Sequence, residues 1–319
     1  MARSPLPDTV TRDGSPSRDV PVRSPLASLL ISLRPEQWTK NLVVFAGLLF
    51  GRELFDPTLG PLASALTAFA IFCALSGVVY LLNDVADREA DRRHPVKSRR
   101  PIASGELSPG AAVLVALVMG AFATASAFWL NPAFGVVALA YVLLQATYSW
   151  LLKHLVIIDV LAIAMGFVLR AVAGAVVIEV DISHWLVLCT LLLALFLALS
   201  KRRHELVLLA GGAIEHRRIL GQYSPYLLDQ MIGVVTASTL IAYIFYTISP
   251  ETVQKVGSDR LGLTIPFPLY GIFRYLYLVH LKEGGGSPTS MLINDRPLLV
   301  CVALWAAAVV VIVYRPWGI

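Results

Sequence analysis

Apolar blocks of the length needed to span a bilayer recur along the chain, at about 38–55, 58–82, 110–130, 132–150, 155–178, 184–200, 225–249, 262–281 and 297–315. They predict nine transmembrane helices and an all-α, polytopic membrane bundle. Several starts carry a capping residue followed by proline, a pair suited to the first helical turn: Asp56-Pro57, Ser108-Pro109, Asn131-Pro132, Ser224-Pro225 and, one residue later, Asp295-Arg296-Pro297.

Composition agrees with this pattern. Over 319 residues, 57% are hydrophobic and the mean hydropathy is +0.71, which excludes an ordinary soluble domain. Residues 1–25 are rich in Pro, Ser and Arg and lack an apolar core, so they read as a disordered cytosolic tail, not a cleavable signal. Residues 26–319 then form a single transmembrane catalytic domain.

Charge sets the expected orientation. With a cytosolic N-terminus, one side receives six Lys or Arg from 1–40, six from 83–108, one from 149–155, five from 201–223 and two from 280–297, twenty in all. The other side receives Arg52, Lys255, Arg260 and Arg315. This asymmetry follows the positive-inside rule and places the polar loops in the cytosol of a bacterial-type inner membrane. The basic residues are concentrated in membrane-proximal loops, where they can equally serve anionic lipid or phosphate, so the net charge of +5 adds little about nucleic acid, and none is expected as a partner. Cys73, Cys189 and Cys301 all fall inside apolar spans without metal or disulfide spacing and read as packing residues.

The chemistry gathers in the loops on the basic side. Asn83, Asp84, Asp87 and Asp91, leaving the second span, share an arc of roughly 100° if the run is helical. Such an arc suits Mg²⁺, which takes hard oxygen ligands and bridges to substrate phosphates. Six Lys or Arg between Arg88 and Arg100 accompany it, of which Lys97, Arg99 and Arg100 offer donors to phosphate. A solvated helix end is the plainer reading of the same acids.

Ahead of this run, Lys40 and Asn41 stand at the head of the first span, behind Arg34 and Trp38, both of which also read as interfacial anchors. After the fourth span come Tyr148, Lys153 and His154, then Asp159 and Arg170, two charges in apolar sequence where charge is expensive. Arg170 is either a substrate ligand or half of an internal ion pair; His154 reads as a surface residue. Leaving the sixth span, Lys201-Arg202-Arg203-His204-Glu205 is either a phosphate site or a cluster that sets topology. The later segment Gly284-Gly285-Gly286-Ser287 reads as a flexible loop in preference to a phosphate cradle.

Nine spans, the Asn83-Asp84-x-x-Asp87-x-x-x-Asp91 run and Tyr148-Ser149-x-x-x-Lys153 resemble the UbiA-type superfamily of intramembrane prenyltransferases, over nearly the whole chain after residue 25. The usual members of that superfamily hold Mg²⁺ with two Asp-rich motifs to ionise a prenyl diphosphate. Here the place of the second motif is taken by Lys201-Arg202-Arg203-His204-Glu205. Together with Leu33-Arg34-Pro35-x-Gln37-Trp38-x-Lys40-Asn41 and His94-Pro95-x-Lys97-x-x-Arg100-Pro101, that departure is similar to one branch, the decaprenyl-phosphate phosphoribosyltransferases.

The resemblance implies phosphoribosyl diphosphate as donor, a polyprenyl phosphate as acceptor and Mg²⁺ held by Asp84, Asp87 and Asp91, with Asn83 assisting. Lys40, Asn41, Lys97, Arg100, Lys153 and Arg170 would clamp the donor. Lys201, Arg202 and Arg203 would hold either the ribose 5-phosphate or the lipid phosphate. Tyr80 and Tyr148 either cap the sugar pocket or sit at the interface as aromatics. A phosphate monoester is already close to doubly ionised near neutral pH, so such an acceptor needs no general base. The competing expectations are prenyl transfer from a prenyl diphosphate and, from another class, a lipid transporter, which would place charges near mid-membrane in both halves. Oligomeric state is left open, a homo-oligomer included.

Overall fold

The computed structural model describes residues 24–94, 96–208, 218–281 and 288–314, and contains helices and no strand among them. A short helix α1 (Pro25–Ser32) leads into a 3₁₀ stretch, Pro35–Phe45, and α2 (Ala46–Phe50). The long helix α3 (Gly60–Ala86) is followed by the short α4 (Arg88–Arg93) and α5 (Pro101–Ser104). Then come α6 (Pro109–Leu130), α7 (Pro132–Trp150), α8 (Ile158–Val177) and α9 (His184–Leu208). The chain closes with α10 (Pro225–Ile248), α11 (Pro250–Val256), α12 (Pro266–Leu281), α13 (Pro288–Asn294) and α14 (Arg296–Tyr314).

Seven of the described helices are long and apolar enough to cross a membrane: α3, α6, α7, α8, α9, α10 and α14. The chain is a multi-pass membrane protein. Two of the nine expected spans take another form. The first, at 38–55, is the 3₁₀ stretch running into the five-residue α2, with Asn41 buried inside it and hydrogen-bonded to Cys73 and Arg170. The eighth, at 262–281, is shortened to the 16 residues of α12 by a 3₁₀ turn at Arg260–Thr264 and by Pro266.

The caps at Ser108, Asn131 and Ser224 form as predicted, each side-chain oxygen accepting from the backbone N–H three residues on, at 3.0–3.2 Å. Asp295 accepts from Leu298 N in the same way at 2.9 Å. Asp56-Pro57 does not start a helix: Asp56 accepts from Thr58 N, and α3 begins after Leu59, whose φ of 58° turns the chain. At the N-terminal end, α1 begins at Pro25, capped by Ser24. The rest of the expected tail, 1–23, lies outside the described residues, as do Pro95, residues 209–217, the glycines at 284–286 with Ser287, and 315–319.

The bundle is built around α3 and α8. Helix α3 packs on α6, and α8 on α7, α9, α3 and the 35–50 segment. In lipid, helices gain little from apolar burial alone, and close backbone approach by small residues replaces it. Accordingly the buried face of α8 includes Ala162, Ala164, Gly166, Ala171, Ala173, Gly174 and Ala175. A Cβ on Gly174 would fall 1.9 Å from the Val44 carbonyl oxygen, and one on Gly47 2.8 Å from Ala175 Cα. This contact brings the 3₁₀ stretch, with Lys40 and Asn41, against the helix that carries Arg170. Phe72, Phe134 and Tyr141 fill the space between α3, α7 and α8.

Candidate functional site at the polar end of the bundle

Alternation of the long helices brings the ends of α3, α7 and α9 together with the starts of α6, α8, α10 and α14, and three groups of polar side chains meet there. The first is at the end of α3. The helix does not run unbroken through the acidic stretch: it stops at Ala86, Asp87 adopts φ −89° and ψ 5°, and α4 starts at Arg88. Hydrogen bonds from Asp87 N to Asn83 O and from Asp91 N to Asp87 O, both 2.8 Å, still carry the turn across the break. Asp84 and Asp91 are buried, Asn83 is half-buried and Asp87 is exposed.

The two buried carboxylates already share a cation. Arg100 Nη1 lies 3.1 Å from Asp84 Oδ1 and 2.6 Å from Asp91 Oδ2. Arg34 Nη2 donates to the same Asp84 Oδ1 at 2.5 Å, and Lys97 Nζ stands 3.9 Å from Asp91. Arg34 reaches this position from a left-handed backbone (φ 52°, ψ 65°), with its guanidinium 4.8 Å from the centre of the Tyr80 ring. Among the described residues no three His, Cys, Asp or Glu converge on one ion position. Two carboxylates around a single cation nevertheless fit Mg²⁺, which is usually held by one or two protein carboxylates, waters and substrate phosphates.

The second group lies deeper. Arg170, 5% exposed in the interior of α8, donates to Asn41 Oδ1 (2.7 Å), the Tyr141 hydroxyl (2.7 Å) and the Gly166 carbonyl (2.9 Å). The guanidinium also stacks over Tyr141 at 4.6 Å. Asn41 in turn donates to Cys73 Sγ at 3.3 Å. These partners are all neutral, so the internal ion pair that is one of the two readings of Arg170 does not form among the described residues, and its buried charge has no carboxylate among its hydrogen-bond partners there.

Lys40 completes this group. It lies outside the seven spans, in the field of Lys201, Arg170 and Arg34, with Glu36 as the acid nearby. Burial, and then the repulsion of those three cations, lowers its pKa to about 8.

The third group separates the basic run on α9. Arg202 is 3% exposed and is spent on protein carboxylates: Nε donates to Asp159 Oδ2 at 2.9 Å, Nη1 to Glu205 at 2.6 Å, and Nη2 reaches the Tyr148 hydroxyl at 3.4 Å. The Tyr223 hydroxyl donates to the other oxygen of Asp159 at 2.8 Å and accepts from Ile157 N. Arg203 turns outward to Asp229, which also meets His280. Lys201 alone of the three stands toward Lys40, with Glu205 at 3.8 Å. A basic run on one helix turn thus points in different directions, and each of its members has a carboxylate within 4 Å, closest for Arg202 and Arg203 and most distant for Lys201. Lys153 is half-buried and makes no ion pair among the described residues.

The sequence profile of the UbiA prenyltransferase family matches residues 41–294. The chain belongs to the UbiA family. Over 300 residues this family member is 31% identical to the decaprenyl-phosphate phosphoribosyltransferase of Mycobacterium tuberculosis, covering 92% of this chain and 97% of that protein. It is also 31% identical over 292 residues to the protein of that name from Corynebacterium glutamicum, covering 90% and 86%. In fold it matches a UbiA homolog from Archaeoglobus fulgidus bound to GPP and Mg²⁺, with a TM-score of 0.68 and 19% identity over 90% of this chain and all of that one. This UbiA-family chain is thus an enzyme, a transferase.

Side chains that sequence reasoning passed over now take their places. Arg34, read also as an anchor, is a partner of Asp84. Tyr141, Tyr223 and Glu205 had no signal, since an aromatic in or beside an apolar span and an acid in a basic run both have ordinary explanations. Asp159 was visible as a charge in apolar sequence; its partner, Arg202, was not.

Proposed function

We propose that the enzyme transfers the 5-phosphoribosyl group of phosphoribosyl diphosphate to a polyprenyl phosphate, decaprenyl phosphate in the reading from its relatives, at the cytosolic face of the inner membrane. The product, polyprenylphosphoryl-5-phosphoribose, would serve as a precursor of lipid-linked arabinose for cell-wall polysaccharide. The observation that carries this reading is the presence, at one end of the bundle, of two buried carboxylates and of a group of cations, Lys40, Arg170 and Lys201, close enough for the other two to lower the pKa of Lys40. A donor with phosphates at both ends needs both: carboxylates for its metal, and cations for its remaining charge.

In this reaction the C1–O bond to diphosphate breaks and a bond from a lipid phosphate oxygen to C1 forms, with diphosphate leaving. Mg²⁺ held by Asp84 and Asp91, with Asp87 and Asn83 at its rim, would supply charge neutralisation on the leaving diphosphate. Arg34, Lys97 and Arg100 stand beside those carboxylates to hold the diphosphate oxygens. Lys40, Lys201 and Arg170 with Asn41 bind the second phosphate, and Tyr80 and Tyr148 flank the sugar between them. Arg202 positions Tyr148 and the α7–α8 connection through Asp159. The acceptor oxygen is already anionic, so these residues act by bringing two anions together in line, without a general base.

The test is transfer of labelled ribose 5-phosphate from phosphoribosyl diphosphate to polyprenyl phosphate by the detergent-purified chain, with Mg²⁺ and then with chelator. Metal-dependent labelling of the lipid supports the reading. Labelling from geranyl diphosphate in its place, with none from phosphoribosyl diphosphate, assigns the site to prenyl transfer.

A further inference from the structure

The carboxylates proposed to bind metal are covered. The side chains of Asp84 and Asp91 are each 4% exposed, while Arg34 and Arg100, lying over them, are 23% and 28% exposed. Asp84 Oδ1 accepts from both guanidiniums at once, and Arg100 Nη1 occupies the position between Asp84 and Asp91. A divalent ion coordinated to Oδ1 at about 2.1 Å would lie within a few ångströms of both guanidiniums. Like charges that close, under a low-dielectric cover, repel strongly. Metal and arginine therefore compete for the same oxygens.

Both arginines lie at junctions between elements and are partly exposed. Arg34 is the junction between α1 and the 35–45 stretch, and Arg100 is the junction between a 3₁₀ turn, Lys97–Arg99, and α5. Once displaced, each needs an anion, and the nearest one offered in the proposed reaction is the diphosphate that arrives with the metal.

We propose that Arg100, assisted by Arg34, is a charge-exchange latch: it closes the carboxylate site by bridging Asp84 and Asp91, and re-pairs to the donor's diphosphate when metal takes those oxygens. The latch makes metal and donor binding mutually dependent. Either alone leaves an uncompensated charge, the guanidinium in one case and the diphosphate in the other, and each ligand must strengthen the other by the same factor. This inference rests on the proposed function, and concerns the arginines, which that reading treats only as ligands.

The experiment is Mn²⁺ binding to the full detergent-purified chain, read by electron paramagnetic resonance without donor and with excess phosphoribosyl diphosphate, corrected for the Mn²⁺–donor complex measured without protein. Wild type is expected to bind Mn²⁺ weakly alone and at least about tenfold more tightly with donor. Arg100→Gln is expected to bind Mn²⁺ alone several-fold more tightly than wild type and to lose most of the donor's effect. Arg34→Gln should shift the same way and guards against a folding defect peculiar to one variant. Two folded variants that bind Mn²⁺ alone no more tightly than wild type overturn the latch and leave the functional reading standing. Wild type that binds no Mn²⁺ in either condition overturns the metal site itself, and the latch with it.

Discussion

Lys201 and Arg202 are adjacent in sequence and opposite in role. Arg202 neutralises a carboxylate, Asp159, that has no exposure to solvent, so its removal strands a buried charge. Arg202→Ala should destabilise the protein by about 3–5 kcal/mol, the usual consequence of breaking a buried pair from one side, and lower its melting temperature in detergent. Lys201→Ala gives up a partly exposed contact with Glu205 and should melt close to wild type, while raising the KM for donor or acceptor roughly tenfold, as expected for one lost charge-assisted contact. Equal melting temperatures for the two variants would remove the distinction. Lys40 adds a pH dependence. A lysine whose pKa is lowered to about 8 is charged below that pH and loses its proton above it, so donor affinity in the free enzyme should fall as pH rises through 8. A bound polyanion favours the charged form and moves the midpoint upward. The profile of kcat/KM shows this loss if Lys40 binds phosphate, and Lys40→Arg should flatten it.

The helices themselves were largely legible, because span length, proline at the first turn and capping side chains are local properties. What a local pattern does not contain is the seam between the 35–50 segment and α8. Gly174 meets the Val44 carbonyl so closely that any side chain must push the two apart. Gly174→Ala should therefore destabilise by about 1–3 kcal/mol through overpacking. By shifting Asn41 away from Arg170 it should also reduce activity more than stability alone accounts for, measured as kcat per folded molecule. The acidic run shows the same limit. The spacing puts Asp84, Asp87 and Asp91 on one face, but it does not show that Asp87 is exposed while the other two are buried under arginines, which come from elsewhere in the chain.

At the scale of the whole molecule, the distribution of basic residues and the direction of the helices place the carboxylates and the cations proposed to bind phosphate at the same end. Cys73 and Cys301 are buried and Cys189 is partly so, which leaves a low background for thiol labelling. Glu89→Cys, exposed at the acidic end, should react with a membrane-impermeant maleimide only in inverted vesicles or lysed cells. Leu59→Cys, 61% exposed at the opposite end, should react from the outside of intact spheroplasts. The reverse pattern would put the site outside the cell.

The sequence by itself determined that this is an all-helical membrane enzyme of the UbiA family, with a carboxylate run and a basic run beside its spans. Those features follow from composition, span length and local motif, each held within one stretch of chain. Tertiary structure alone decided which charges answer one another. Asp159 found Arg202, Asp84 found Arg34 and Arg100, and Arg170 meets no carboxylate among the described residues, because pairing depends on how α3, α8 and α9 are set against the 35–50 segment. In a low-dielectric interior those pairings decide which buried charges are balanced within the fold.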